Sequence, residues 1–295
     1  MRTRIARDRR RAGVRVILGA RDQALLRALA RFRVARTDDL TALFFAGVRR
    51  DTASTRLRKL HDARFIEARL SSLSEQNAYQ LGPAGRAWAD EHGVAAGPPP
   101  APPAAHHLTI VRLWARLAAA LAADQTFRLH RFEPDWEVRT RLAGTGAPVV
   151  PDAAIEIGGR EPQASSVTCI ALEVDLTTER PGVLRRKLSP YEVSHCFAGE
   201  GPVALAVVLV GAGERRVSSV RSLVESTWTG IGHVLLETEW PSVLLRQLRE
   251  GPPTPSPSGK GMVGGTTLLG CAPSPGQGEG LSHLTSEFPS SADGD

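Results

Sequence analysis

Long apolar runs are missing from this 295-residue chain. The longest, at 203–210 and 117–123, have the length of a strand or a short helix, well below the ~18–20 residues a membrane-spanning helix needs. A transmembrane protein is therefore not expected. Cysteine is scarce: Cys169, Cys196 and Cys271 are far apart and odd in number, which excludes a disulfide framework and a zinc-finger spacing. Free thiols in a reducing cytoplasm fit that usage, and no nucleophile constellation surrounds any of the three. The phosphate loop GxxxxGK[ST] does not occur, so nothing supports ATP use. The first residues, MRTRIARDRRRAGVR, lack the apolar core and small-residue cleavage site of a secretory signal. No internal repeat is present.

What is there begins with charge. Lys and Arg number 37 against 31 acids, a net +6. Residues 1–15 hold seven arginines (2, 4, 7, 9, 10, 11 and 15) and Asp8, hence 7 − 1 = +6, so the remainder is formally neutral. The basicity belongs to an arm, 1–19. Arms of this kind bind phosphate backbones; a merely solvated leader is the alternative.

Two low-complexity stretches divide the rest. Residues 93–104, GVAAGPPPAPPA, carry five prolines and no charge, the composition of a semi-rigid linker. Residues 252–295 hold seven prolines and nine glycines, too little apolar surface to offset ordering, and the tail 251–295 is expected to be disordered. A small domain at 20–92 and a larger one at 105–250 remain. Together they predict an α/β (α+β) protein: a winged helix-turn-helix, then a mixed sheet covered by helices.

In the small domain, Ala24, Leu25, Ala28, Leu29 and Phe32 recur at helical spacing. Thr37 is placed to cap a second helix, with Asp38 and Asp39 in its first turn. A third helix at 51–63 follows, then extended pieces at 65–70 and 77–81 and a closing helix at 83–91. Projected at 100° per residue, Ala53, Leu57 and Leu60 form the inner face of the third helix. Thr52, Thr55, Lys59 and Asp62 lie outside, flanked by Arg56 and Arg58. Between positions 49 and 69, Arg49 and Arg50 included, seven basic residues meet three acids. Hydroxyls mixed with Arg and Lys suit a DNA recognition helix, reaching base edges and phosphates of double-stranded DNA. A solvated bundle face, or a winged helix used for protein pairing, has the same pattern.

The larger domain reads as α-β-β-β-α-β-α-β-α: helix 106–122, strands 127–133, 149–157 and 167–176, helix 182–197 interrupted by Pro190, strand 203–210, helix 214–227, strand 233–237 and helix 241–249. Its acids are grouped. Asp152 follows Pro151 near the start of the second strand. Glu173 and Asp175, two apart near the end of the third, point to one face. With those strands adjacent, Asp152 joins the pair, and three carboxylates at one point call for Mg²⁺ or Mn²⁺. Arg180, Arg185, Arg186 and Lys187 follow at or inside the next helix, placed to hold a phosphate. The acids alternatively pair with Arg185 or Arg186 as a scaffold. Glu137 is a further candidate ligand. His106 and His107 read as packing or capping residues, and Tyr191 as packing against the sheet.

The αβββαβ order with PD and ExD resembles the PD-(D/E)xK nuclease superfamily, in which strand acids hold the metal and a lysine positions the attacking water. Here Asp175 stands where that pattern has lysine; Lys187, on the following helix, is the residue that would replace it. The wider run TDDLTALFF, TASTRLRKLHDARFIEA, NAYQLGPAGRAW, HHLTIVRLW, FEPDWEVR, VVPDAAIEI and ALEVDLTTERPGVLRRKLSPY resembles the replication-relaxation family of actinobacterial plasmids and mobile elements, over roughly 20–210. That resemblance implies a cytoplasmic protein associated with plasmid or nucleoid, acting in plasmid replication and DNA relaxation, with plasmid replication or transfer proteins as partners and no membrane. Its matching positions are Asp152, Glu173, Asp175, Lys187 and Tyr191. Catalysis as a Mg²⁺-dependent endonuclease and a homodimeric state are left open.

Overall fold

The computed structural model describes residues 15–69, 78–98, 105–146, 149–160, 167–177, 180–193, 204–228 and 231–250. Most of the basic arm, the loop at 70–77, the prolines at 99–104, Cys196, the side chain of Tyr191 and the tail lie outside the described residues. The chain forms two compact units that divide between Ala115 and Arg116. The fold class is the predicted α+β, with one small and one larger sheet.

The first unit runs α1 (Ala20–Phe32), β1 (Ala35–Arg36), α2 (Thr37–Phe44), α3 (Arg50–Asp62), β2 (Ile66–Arg69), β3 (Ala78–Leu81), α4 (Pro83–Glu91) and the first part of α5 (Ala105–Ala123). Helix α1 buries the predicted Ala24, Leu25, Ala28, Leu29 and Phe32. At its start the Gly19 amide donates to Asp22 Oδ2 at 2.9 Å, satisfying one orphan N–H of the first turn. Strand β1 was not foreseen. Arg36, in extended conformation and paired with Ala78, occupies the N-cap of α2, so Thr37 begins that helix instead of capping it. Sheet order is β1-β3-β2, antiparallel throughout. Helix α4 starts against the corner that follows α3: the Gly82 amide donates to the Phe65 carbonyl and the Ala84 amide to that of Arg64. A Cβ on Gly85 would lie 2.1 Å from the Phe65 carbonyl oxygen, so only glycine allows that approach.

The first part of α5 packs on α1. The Phe32 and Trp114 rings stack with centroids 4.0 Å apart, and Leu108 joins Val34 and Ala78 in a buried cluster. His107 ties the two helices together. The Arg33 guanidinium, which can only donate, bonds Nδ1 at 2.9 Å. The proton therefore sits on Nε2, which donates to the Phe32 carbonyl at the C-terminus of α1.

The second unit contains the remainder of α5, then β4 (Phe127–Pro134), α6 (Asp135–Arg141), β5 (Ala153–Gly159), β6 (Val167–Asp175), α7 (Pro181–Val193), β7 (Ala204–Leu209), α8 (Glu214–Thr227), β8 (Gly232–Leu236) and α9 (Ser242–Glu250). Its sheet has the order β4-β5-β6-β7-β8. The first three strands are antiparallel; β6, β7 and β8 are parallel, joined through α7 and α8 as crossovers need. Two elements differ from expectation. Pro134, extended at the N-cap, opens the short helix α6 where only a strand end was foreseen. Helix α7 runs through Pro190 without interruption.

One sheet face carries Ala154, Cys169, Ala171, Leu205, Val207 and Leu209, closed over by Leu184 and Leu188 of α7 and Val220, Leu223 and Val224 of α8. Full burial of each larger aliphatic side chain is worth about 2 kcal/mol. The other face carries Ile155, Ile157, Ile170, Leu172 and Val208, all buried.

Asp124 closes the turn between α5 and β4. Burial alone would raise its carboxyl, but the amides of Phe127 and Thr126 and the Arg249 guanidinium outweigh it and hold the group below the usual carboxylate range. A depressed carboxylate contributes stability at neutral pH that disappears as pH falls through its folded value. Wild type should therefore exceed the Asp124→Asn variant in urea stability at pH 7, and the difference should shrink once pH drops below about 4.

Candidate functional site

Two clusters of predicted functional residues are brought into definite positions, one in each unit. The first is the outer face of α3. Ala53, Leu57 and Leu60 are buried as projected, which turns Arg49, Arg50, Thr52, Thr55, Arg58 and Lys59 to solvent. Arg50 lies 3.7 Å from Asp38 in an exposed ion pair, a contact worth less than about 1 kcal/mol.

Arg56 differs from its predicted role. Its Nε donates to Asp22 Oδ1 at 2.8 Å, and a terminal nitrogen contacts Asp22 Oδ2 and donates to the Ile17 carbonyl at 2.8 Å. The guanidinium is held by a buried carboxylate and its own affinity for the proton is raised by that bond. It fastens α3 to the start of α1 and is not part of the outward face. Asp22 was not singled out in the sequence. The signal for it is an acid three residues after Gly19, at the position whose side chain reaches back to the cap.

The second cluster stands on the helix-covered face of the larger sheet. Strands β5 and β6 are antiparallel neighbours with Ala153 opposite Leu172. One further step along that register puts Asp152 opposite Glu173, which is the adjacency expected of these strands. Asp152 accepts the Val174 amide at Oδ2, 2.8 Å away. Helix α7 sends Leu184 and Leu188 into the core, and Lys187 between them extends to the strands. Its ammonium lies 3.5 Å from both oxygens of Asp152 and in contact with Glu173 Oε2. The Glu173 side chain is 2 % exposed and that of Lys187 29 %: a buried acid meets a cation that still reaches solvent.

Asp175 takes a different partner. Its Oδ2 accepts from Arg216 of α8, at 3.1 Å from Nε and 2.5 Å from a terminal nitrogen, and its Oδ1 accepts the Thr177 amide. The three predicted metal ligands thus do not form one oxygen-only set. Among the described residues no group of three or more His, Cys, Asp or Glu side chains is placed to hold a metal ion. Glu137 lies on α6. The scaffold partners named from sequence, Arg185 and Arg186, are exposed; Lys187 and Arg216 take those places. Arg216, 41 residues from Asp175 along the chain, had no local signal. A further acid, Glu133 at the end of β4, is buried against Arg131 and Arg141.

What the arrangement defines is a class: a two-unit α+β protein with a basic, hydroxyl-bearing helix face in one unit and a lysine shared by two strand-end carboxylates in the other. The replication-relaxation family model matches residues 26–195, and the chain belongs to that family. The match runs from α1 through α7 and includes Asp152, Glu173, Asp175 and Lys187; Arg216 lies beyond it. No curated protein and no solved structure matches the chain. Among the described residues no helix is long and apolar enough to cross a membrane.

Proposed function

We propose that the protein binds double-stranded DNA through a winged helix formed by its first unit, and acts in the replication and relaxation of a plasmid or mobile element. The observation that carries this reading is the outer face of α3, where Arg49, Arg50, Thr52, Thr55, Arg58 and Lys59 are exposed while the opposite face is buried. Membership of the replication-relaxation family supports DNA as the partner. Arg and Lys on such a face neutralise phosphates, and the short hydroxyls leave room for base contacts.

The test is duplex binding across a salt series. Each phosphate contact contributes about 0.9 to the slope of log K against log salt. The variant Arg58→Ala/Lys59→Ala is expected to bind more weakly than wild type, with a slope lower by about 1.8. An unchanged affinity and slope would favour protein pairing by this face.

A second reading, a PD-(D/E)xK-type metal-dependent nuclease or nickase, is favoured by one contact: Lys187 meets Asp152 and Glu173 together. The donor set fits Mg²⁺ or Mn²⁺ to the extent that these two carboxylates already share one cation, the ammonium. They would hold the ion, which would neutralise phosphate charge and lower the pKa of a bound water. Lys187 would orient that water, and Asp175, committed to Arg216, would stand outside. Incubation of supercoiled plasmid with Mn²⁺ tests it: nicking lost in both Asp152→Ala and Glu173→Ala supports the enzyme, and tight binding with no nicking by wild type rejects it.

A further inference from the structure

We infer that the arginine-rich arm contacts the DNA backbone beside α3, within one turn of the same duplex. The inference rests on the reading that α3 meets duplex DNA, and deepens it by adding the segment that precedes α1. The root of the arm, 15–19, has a definite place. Arg15 and Ile17 are exposed while Val16 and Leu18 are half-buried, so the chain runs along the surface of the first unit. It is held there by the Ile17 carbonyl, which accepts from Arg56 of α3 at 2.8 Å. The Gly19 amide adds a second hold by donating to Asp22, the carboxylate that also takes the Arg56 guanidinium. Residues three and four apart are neighbours on a helix, so Lys59 and Thr52 of the outer face flank Arg56. The arm therefore leaves the unit at the margin of the face proposed to meet DNA.

Charge indicates what the arm does there. Residues 49–62 contain five cations against Asp51 and Asp62, and Asp22 and Asp38 pair with two of the five. With all four acids counted, the helix is left at only +1. The arm brings seven arginines and one aspartate in fifteen residues, +6. It contains no aromatic residue on which a base could stack, so it suits a polyanion met at its phosphates. Reach sets where those phosphates lie. Arg9, Arg10 and Arg11 stand six to eight residues before Ile17. An extended chain spans about 3.5 Å per residue at most, which keeps them within about 28 Å of the root. One turn of duplex rises about 34 Å. Duplex held by α3 is thus presented to the arm at high effective concentration.

The experiment compares duplex binding by the full chain as wild type, Arg9→Ala/Arg10→Ala/Arg11→Ala, and Arg58→Ala/Lys59→Ala, over about 50–200 mM salt. Arg56 is kept in all three. Each protein is measured on duplexes of about 16 and about 40 base pairs, roughly one and a half and four turns. Loss of three phosphate contacts makes the slope of the arm variant shallower by about 2.7. The wild-type advantage over it should then shrink about forty-fold across that range, and equally on both duplexes. A wild-type slope in the arm variant, alongside a lowered slope in the α3 variant, would overturn the arm contact and leave the α3 reading standing. A change confined to the longer duplex would put the arm away from α3 and overturn the inference. An arm effect without an α3 effect would overturn the α3 reading and, with it, the shared site. Wild type that binds neither duplex would overturn both.

Discussion

Arg56→Ala should destabilise the first unit by about 3 kcal/mol, although its neighbours on α3 are the residues proposed to contact DNA. Asp22, 5 % exposed, accepts both the Arg56 guanidinium and the Gly19 amide. Removing the guanidinium leaves a buried carboxylate with one amide where it had two further charge-assisted bonds. Loss of one partner of a buried pair costs about 3–5 kcal/mol, and the partial exposure of Arg56 places the value at the lower end. The Ile17 carbonyl loses its donor in the same step. Lysine should not restore the loss, because the two-pronged contact needs a planar fork. Asp22→Ala should cost less, since the freed guanidinium can turn to water. The double variant should cost less than the sum of the singles, as expected of groups in direct contact. Urea unfolding monitored at equilibrium measures all four. The DNA salt slope of Arg56→Ala, taken where it remains folded, should match wild type.

Lys187→Met carries the second large effect. The substitution nearly conserves volume but removes the cation that Asp152 and Glu173 share. Two carboxylates opposite one another on adjacent strands then repel, one of them fully buried, and the expected cost is again about 3 kcal/mol. Adding Glu173→Gln to that variant removes the charge–charge repulsion and should return about 1 kcal/mol or more, a coupling of the sign and size found for contacting charges. Neutral behaviour of Lys187→Met in urea would mean that the ammonium is not the counter-ion of these acids.

Much of this is legible in the sequence. The inner face of α3 follows from three apolar residues at helical spacing, and its outer face follows by exclusion. Asp152 and Glu173 could be paired because a strand of alternating side chains next to another leaves few registers. What was not legible depends on distant partners. Whether Arg56 faces DNA or the scaffold is decided by Asp22, 34 residues away; a helical projection gives direction but not company. Asp175 looked like a third ligand because period two puts it beside Glu173, yet α8 delivers Arg216 to it from a part of the chain with no motif. The first part of α5 is apolar almost all round, so periodicity could not tell that Leu108 and Trp114 pack with the first unit. Strand β1, two residues long, is too short to leave a pattern.

The role proposed for α3 is the selection of DNA. Its most direct measurement is recovery of DNA fragments bound by the full-length protein from a sheared digest of the genome and plasmids that carry its gene, with a variant in which Thr52, Thr55, Arg58 and Lys59 are all alanine as the comparison. A discrete set of fragments enriched by wild type and lost from the variant is the expected result. Equal recovery of the same fragments by both proteins would contradict it.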